Sequence, residues 1–187
     1  RLDLNAKNDK KLIAWIPVNN PDFNALPNGV FDSEVFSMWS YVTHWGDWTT
    51  PLGRIPAAFL DIAHKNGVGV SGVASIPNAT LSGSWFECLK GIGSMDVDKA
   101  SKFLQYYGID GLGYNSEFYG GGAYVKGVRT FHAALVKKMK PVNPVFENFW
   151  YDGTNDFGNV TFDGGLSNHN KETFGDKDNV RTSLFFN

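Results

Sequence analysis

The chain has 187 residues, of which 42% are hydrophobic, 15% aromatic and 19% charged, with 17 basic against 19 acidic side chains and a formal net charge of −2. Near-neutral charge without a Lys/Arg run excludes the electrostatic footprint of a nucleic-acid or anionic-membrane binder, and no apolar run approaches the ~20 residues of a transmembrane helix. The single cysteine, Cys88, excludes an internal disulfide framework and a multi-thiolate zinc site. A chain of this length buries about 70% of its unfolded surface, so one domain over residues 1–187 is expected. Partners are expected to be neutral or amphipathic. The six Trp, seven Tyr and fifteen Phe suit a core, or a cleft that stacks flat apolar ligand faces such as those of sugars. No signal-peptide pattern precedes Arg1, and the lack of an initiator Met suggests a processed chain.

In chain order, the apolar run Leu12–Val18 reads as a first strand and Phe36–Trp45 as a second, both rich in β-formers. Pro56 opens a short helix over Ala57–Asn66 that Gly67 stops. Val68–Ile76 is the third strand. Residues 77–95 are Gly/Ser-rich and read as a long loop with Trp85 and Phe86 exposed at a cleft border. Asp96-Val97-Asp98 starts a helix through Tyr107, with Gly108 as its stop, and Ile109–Phe118 is the fourth strand. An amphipathic helix carrying Val125, Val128, Phe131, Leu135 and Met139 ends in Lys137, Lys138 and Lys140 before Pro141. Val145–Tyr151 and Val180–Phe186 are the fifth and sixth strands.

Strand–helix–strand repetition argues for a parallel sheet, doubly wound or closed as a (β/α) barrel. No strand is followed by GxGxxG or GxxxxGK[ST], so a nucleotide role loses its weight. The carboxyl ends of the strands carry His44 and Trp45, Asn115 and Glu117, and Trp150 and Tyr151, where a barrel holds its chemistry. A complete (β/α)8 TIM barrel takes about 250 residues. About six strands are read here, so an incomplete barrel, a fragment lacking the last βα units, is expected.

Asn115 and Glu117 share one face of the fourth strand, because side chains repeat every two residues. One carboxylate with a neighbouring amide differs from the two carboxylates of ordinary glycoside hydrolysis and suits substrate assistance. If the sugar bears a 2-acetamido group, its carbonyl oxygen attacks the anomeric carbon, with Glu117 as general acid and Asn115 orienting the amide. The plainer alternative is that both residues merely solvate a strand end. The four histidines, His44, His64, His132 and His169, lack metal-ligand spacing, and His64 and His132 in helices read as surface or packing residues. Cys88 has no paired base nearby, and Asp110 reads as a structural hydrogen-bonding residue.

From about Phe36 onward the chain resembles the glycoside hydrolase family 85 endo-β-N-acetylglucosaminidases. The resemblance rests on Tyr41-Val42-Thr43-His44-Trp45, Ile62-Ala63-His64-Lys65-Asn66-Gly67-Val68, Tyr106-Tyr107-Gly108-Ile109-Asp110-Gly111 with Asn115 and Glu117, Trp150-Tyr151-Asp152 with Gly158, and Thr182-Ser183-Leu184-Phe185-Phe186-Asn187. It implies cleavage of the β-1,4 bond in the N,N'-diacetylchitobiose core of N-linked glycans or glycopeptides, with retention and with neither metal nor cofactor. By resemblance Glu117 is the general acid/base, Asn115 holds the acetamido group while the oxazolinium forms, and Tyr151 helps position it. Trp45 matches a cleft tryptophan that stacks on sugar, with a barrel-core tryptophan as the alternative, and Trp150 and Phe162 complete the substrate-binding set. Phe162 stands where the family has a Trp-Gln-Asn element and lacks an indole N–H. Ile76-Pro77-Asn78 replaces bulkier residues, and the family's last aromatic pair lies beyond Asn187. The alternatives are a family 18 chitinase-like hydrolase, which carries Asp where this chain has Asn115, and a non-catalytic glycan-binding barrel. A glycan-processing role points to a secreted or periplasmic protein, with the cytoplasm as the alternative. Glycan preference and oligomeric state stay open.

Overall fold

A computed structural model describes residues 11–16, 36–47, 55, 57–76, 96–116, 121–161, 166–174 and 182–185. Its six strands are β1 (Ile13–Ile16), β2 (His44–Asp47), β3 (Gly69–Ile76), β4 (Gly111–Ser116), β5 (Glu147–Tyr151) and β6 (Thr182–Phe185). Its helices are α1 (Ala57–Lys65), α2 (Val97–Tyr106), α3 (Gly121–Met139) and α4 (Lys171–Phe174). The strands form one sheet in the order β1-β2-β3-β4-β5-β6, and every pairing is parallel. Parallel neighbours need crossovers, which α1, α2 and α3 supply between β2, β3, β4 and β5.

Local signals account for the element ends. Asp96 caps α2, its Oδ1 accepting hydrogen bonds from the Asp98 and Lys99 backbone N–H at 2.9 and 3.1 Å, and these bonds, Lys99's first, hold its pKa below the usual carboxylate range. Gly67 and Gly108 end α1 and α2 at φ +70° and +67°, the left-handed region that suits glycine. The second strand starts later than its composition predicts. Residues 39–41 turn, with Tyr41 N–H donating to Met38 C=O at 3.0 Å. Phe36 and Trp39 meet edge to face, 4.5 Å between ring centroids, so these β-formers pack as a plug rather than pair as a strand.

Strand alternation gives the sheet two different faces. The outer face meets the helices in two apolar clusters. Trp45 and Val70 pack with Trp39, Ile55, Phe59, Ala63 and Val68 under α1, and Leu112 and Trp150 pack with Leu104, Phe131, Leu135 and Met139 under α2 and α3. The inner face carries Trp15, His44, Ser71, Phe149 and Tyr151 with Gly46, Gly69, Gly111 and Gly113 between them. The sheet curls so far that strands distant in its order meet across this face: Trp15 of β1 and Phe149 of β5 make an edge contact, 6.0 Å between centroids. The fold is thus the incomplete (β/α) barrel expected from the strand–helix alternation.

Candidate active site

The amino-terminal end of the sheet is closed by polar clasps. Asp110 collects His64 Nε2 at 2.7 Å, the Val70 backbone N–H at 2.8 Å and Asn143 Nδ2 at 2.8 Å, tying α1, β3, β4 and the segment before β5 together. This is the structural role its position suggested. Glu147, buried at the start of β5, pairs with Lys11 and, at 3.0 Å, with Lys140. His44 Nε2 lies 3.0 Å from the Val145 carbonyl oxygen and its Nδ1 3.2 Å from Thr43 Oγ1. Burial, its largest influence, lowers the His44 pKa against the opposing hydrogen bond to the Val145 carbonyl.

The carboxyl end is built differently. Gly113 of β4 pairs with Phe149 of β5, and Asn115 and Tyr151 each lie two residues further along those neighbouring strands. Asn115 also pairs with Ser75 of β3. Tyr151 is buried on this face, and its ring lies over Gly153: a Cβ there would sit 2.7 Å from Tyr151 Cε1 and 3.1 Å from Cζ. Any side chain at 153 would push the tyrosine ring.

The segment after β5 is held tightly. Asn155 Oδ1 accepts from the Phe157 and Asn159 backbone N–H groups, both at 3.0 Å, and Thr154 and Val160 form a bridge. Asp156 reaches to α4, where its carboxylate accepts from the Glu172 and Thr173 backbone N–H groups, each at 2.9 Å, and from Thr173 Oγ1 at 2.6 Å. This capping explains a four-residue helix that has no periodicity to announce it.

The residues read as a site divide by face. Asn115 and Tyr151 lie on adjacent strands, β4 and β5. Trp45 and Trp150 do not join them. Trp45 is 1% exposed and stacks on Phe59 at 4.6 Å with 5° between planes, while Trp150 is fully buried under α2 and α3 and meets His132 edge to face at 6.2 Å. A sugar platform needs an open ring face, and both indoles spend theirs on helices. In the described structure both indoles are core residues, Trp45 under α1 and Trp150 under α2 and α3. Glu117 and Phe162 lie outside the described residues, as do Trp85, Phe86, Cys88 and Pro77-Asn78. Sequence reading missed Trp15, an interior aromatic whose only signal was its parity with Gly46 and Gly113 across the sheet.

Among the described residues, no helix is long and apolar enough to cross a membrane, and no three His, Cys, Asp or Glu side chains gather as a metal site needs. A comparison with protein-family models matches residues 19–187 to Glycosyl hydrolase family 85. Among solved structures, the chain is similar to the glycoside hydrolase domain of Endo-D from Streptococcus pneumoniae, with a TM-score of 0.73 and 23% identity over 95% of this chain and 30% of that one. It is also similar to a chitinase from Rhizomucor miehei, with a TM-score of 0.54 and 14% identity over 94% of this chain and 56% of that one. At these identities the likeness concerns the fold, and the chain spans under a third of the Endo-D structure. A search of curated proteins returns no significant match.

Proposed function

The chain belongs to glycosyl hydrolase family 85, and from that membership we propose that the protein is a retaining endo-β-N-acetylglucosaminidase acting on the chitobiose core of N-linked glycans. What supports the reading is that Asn115 and Tyr151 lie on the adjacent strands β4 and β5, each two residues past the paired Gly113 and Phe149, toward the carboxyl end of the sheet. In (β/α) barrels that end holds the chemistry. An amide and a phenol side by side match the two polar atoms of an acetamido group. The Asn115 side-chain carbonyl accepts its N–H, and the Tyr151 hydroxyl donates to its oxygen, aiming that oxygen at the anomeric carbon of the same sugar.

Glu117, two residues past Asn115 in the sequence, is the proposed acid. It gives its proton to the glycosidic oxygen as the acetamido oxygen forms a bond to the anomeric carbon. The C–O bond to the leaving N-acetylglucosamine breaks, and an oxazolinium ring remains. Glu117, now a carboxylate, takes a proton from water as that water opens the ring from the face the leaving group vacated. Two displacements give net retention. With the bond formed by the substrate itself, the protein supplies orientation and proton transfer.

Substitution of Glu117 by Gln in the full-length protein tests this reading. The expected result is a loss of about 10²–10⁴-fold in kcat on an N-glycopeptide, the usual worth of general acid/base catalysis. Near-normal turnover by a folded Glu117→Gln protein contradicts the assignment.

A further inference from the structure

Trp15 lies on the inner face, yet all four residues of β1 are only half-buried. Its indole reaches across the sheet because two glycines leave it room. A Cβ on Gly113 would lie 2.7 Å from Trp15 Cζ2, and one on Gly46 3.4 Å from Cε2. The edge contact with Phe149 holds the far side. Gly113 and Phe149 are the interior residues immediately before Asn115 and Tyr151 on their strands, about 6.6 Å along each strand. The Trp15 ring and the Phe149 ring therefore form the next layer beneath the pair that our reading assigns to the acetamido group.

An acetamide held at its N–H by one residue and at its oxygen by the other has only its methyl left to place. Directed toward the base of the sheet, that methyl meets aromatic surface. On the sheet side the indole is bounded at Gly46 and Gly113, where an added Cβ would fall within contact distance of it. We infer that Trp15 is the floor of the sugar pocket and sets the length of the N-acyl group that the pocket accepts. The inference rests on the acetamide-holding roles of Asn115 and Tyr151. It adds a specificity determinant from a strand that contributes no proton-transfer group.

The test uses synthetic sugar oxazolines whose ring 2-substituent is methyl, ethyl or propyl, corresponding to N-acetyl, N-propionyl and N-butanoyl donors, with the full-length protein. For the wild type we expect each added methylene to lower kcat/KM by about 10–200-fold, the range for one misfit methylene in an apolar pocket. In Trp15→Ala the methyl-to-ethyl ratio is expected to fall by about tenfold or more. Trp15→Phe, which keeps an aromatic ring in the barrel and guards against misfolding of the alanine variant, should lower the ratio by a smaller amount. A purely structural tryptophan lowers activity on all three donors alike, so an unchanged ratio in folded Trp15→Phe overturns the floor assignment. Wild-type protein inert toward the methyl oxazoline is a different result, which removes the acetamide reading and this inference with it.

Discussion

Trp150 and Tyr151 are consecutive residues of β5, both large, aromatic and buried, and the sheet sends them to opposite fates. Trp150 points to α2 and α3 and fills space among Leu104, Leu112, Phe131 and Leu135. Tyr151 turns to the interior, over a glycine that cannot take a side chain without moving it. The outer face is packed wall to wall with apolar rings and aliphatic chains. The inner face alternates rings with glycines, and those glycines leave the space in which Trp15 and Phe149 meet. A buried aromatic at a strand end is thus no sign of a sugar platform until its parity is known.

The sharpest way to break the comparison is to truncate its outer member. Trp150→Ala should cost about 3–5 kcal/mol in unfolding free energy, the usual penalty for emptying a buried large aromatic site, while the folded fraction keeps its KM for glycan. A tryptophan that touched substrate would give the reverse, a raised KM with little change in denaturation midpoint.

The second probe is pH. His132 of α3 packs against Trp150, and burial pushes its pKa down to about 3. The unfolded chain takes up this proton near the ordinary value of 6.5, so between that pH and about 3 the unfolded state binds a proton that the folded state refuses. Stability is therefore complete above pH 6.5 and falls with acidification through that window, by about 1.4 kcal/mol per pH unit for one such group. His132→Leu should flatten this acid limb in denaturant melts taken as a function of pH. The residual slope should include His44, whose pKa is also lowered. An identical acid limb in the variant contradicts the outer-face account.

The inner face is probed most gently at Tyr151. Tyr151→Phe keeps the ring over Gly153 and removes one hydroxyl, so unfolding free energy should fall by no more than about 1.5 kcal/mol, the net worth of one hydrogen bond. Activity on glycan should drop by about tenfold, the worth of one hydrogen bond of ~1.4 kcal/mol. If Tyr151→Phe costs stability and leaves kcat unchanged, the hydroxyl serves packing and the two faces are less distinct than drawn here.

Much of this fold is legible in the residues. The six strands and three longer helices follow from apolar runs, the Asp96 cap, and the stops at Gly67 and Gly108, because these are local signals. Three features depend on partners far along the chain. The plug at Phe36 and Trp39 looks like a strand until the tertiary contacts with Trp45 and Phe59 are known. Helix α4 exists through Asp156, which caps it from another loop. Trp15 gains its meaning only when curling of the sheet brings β1 against β4 and β5. For the site, the sequence locates Asn115 and Tyr151 near the carboxyl ends of the fourth and fifth strands, which the structure makes neighbours in the sheet. Trp45 and Trp150 take the opposite, helix-covered face, which their motif positions do not reveal.

The central claim is that the substrate's own acetamido group, oriented by Asn115, forms the new bond. Its most direct test compares two substrates on full-length Asn115→Ala protein: an N-glycopeptide, and the presynthesised oxazoline of the same sugar. Forming the ring needs the orienting amide, whereas opening a ring already made does not. The account predicts a severe loss of glycopeptide cleavage with oxazoline consumption largely preserved. Equal loss on both substrates by a folded variant would contradict the role of Asn115.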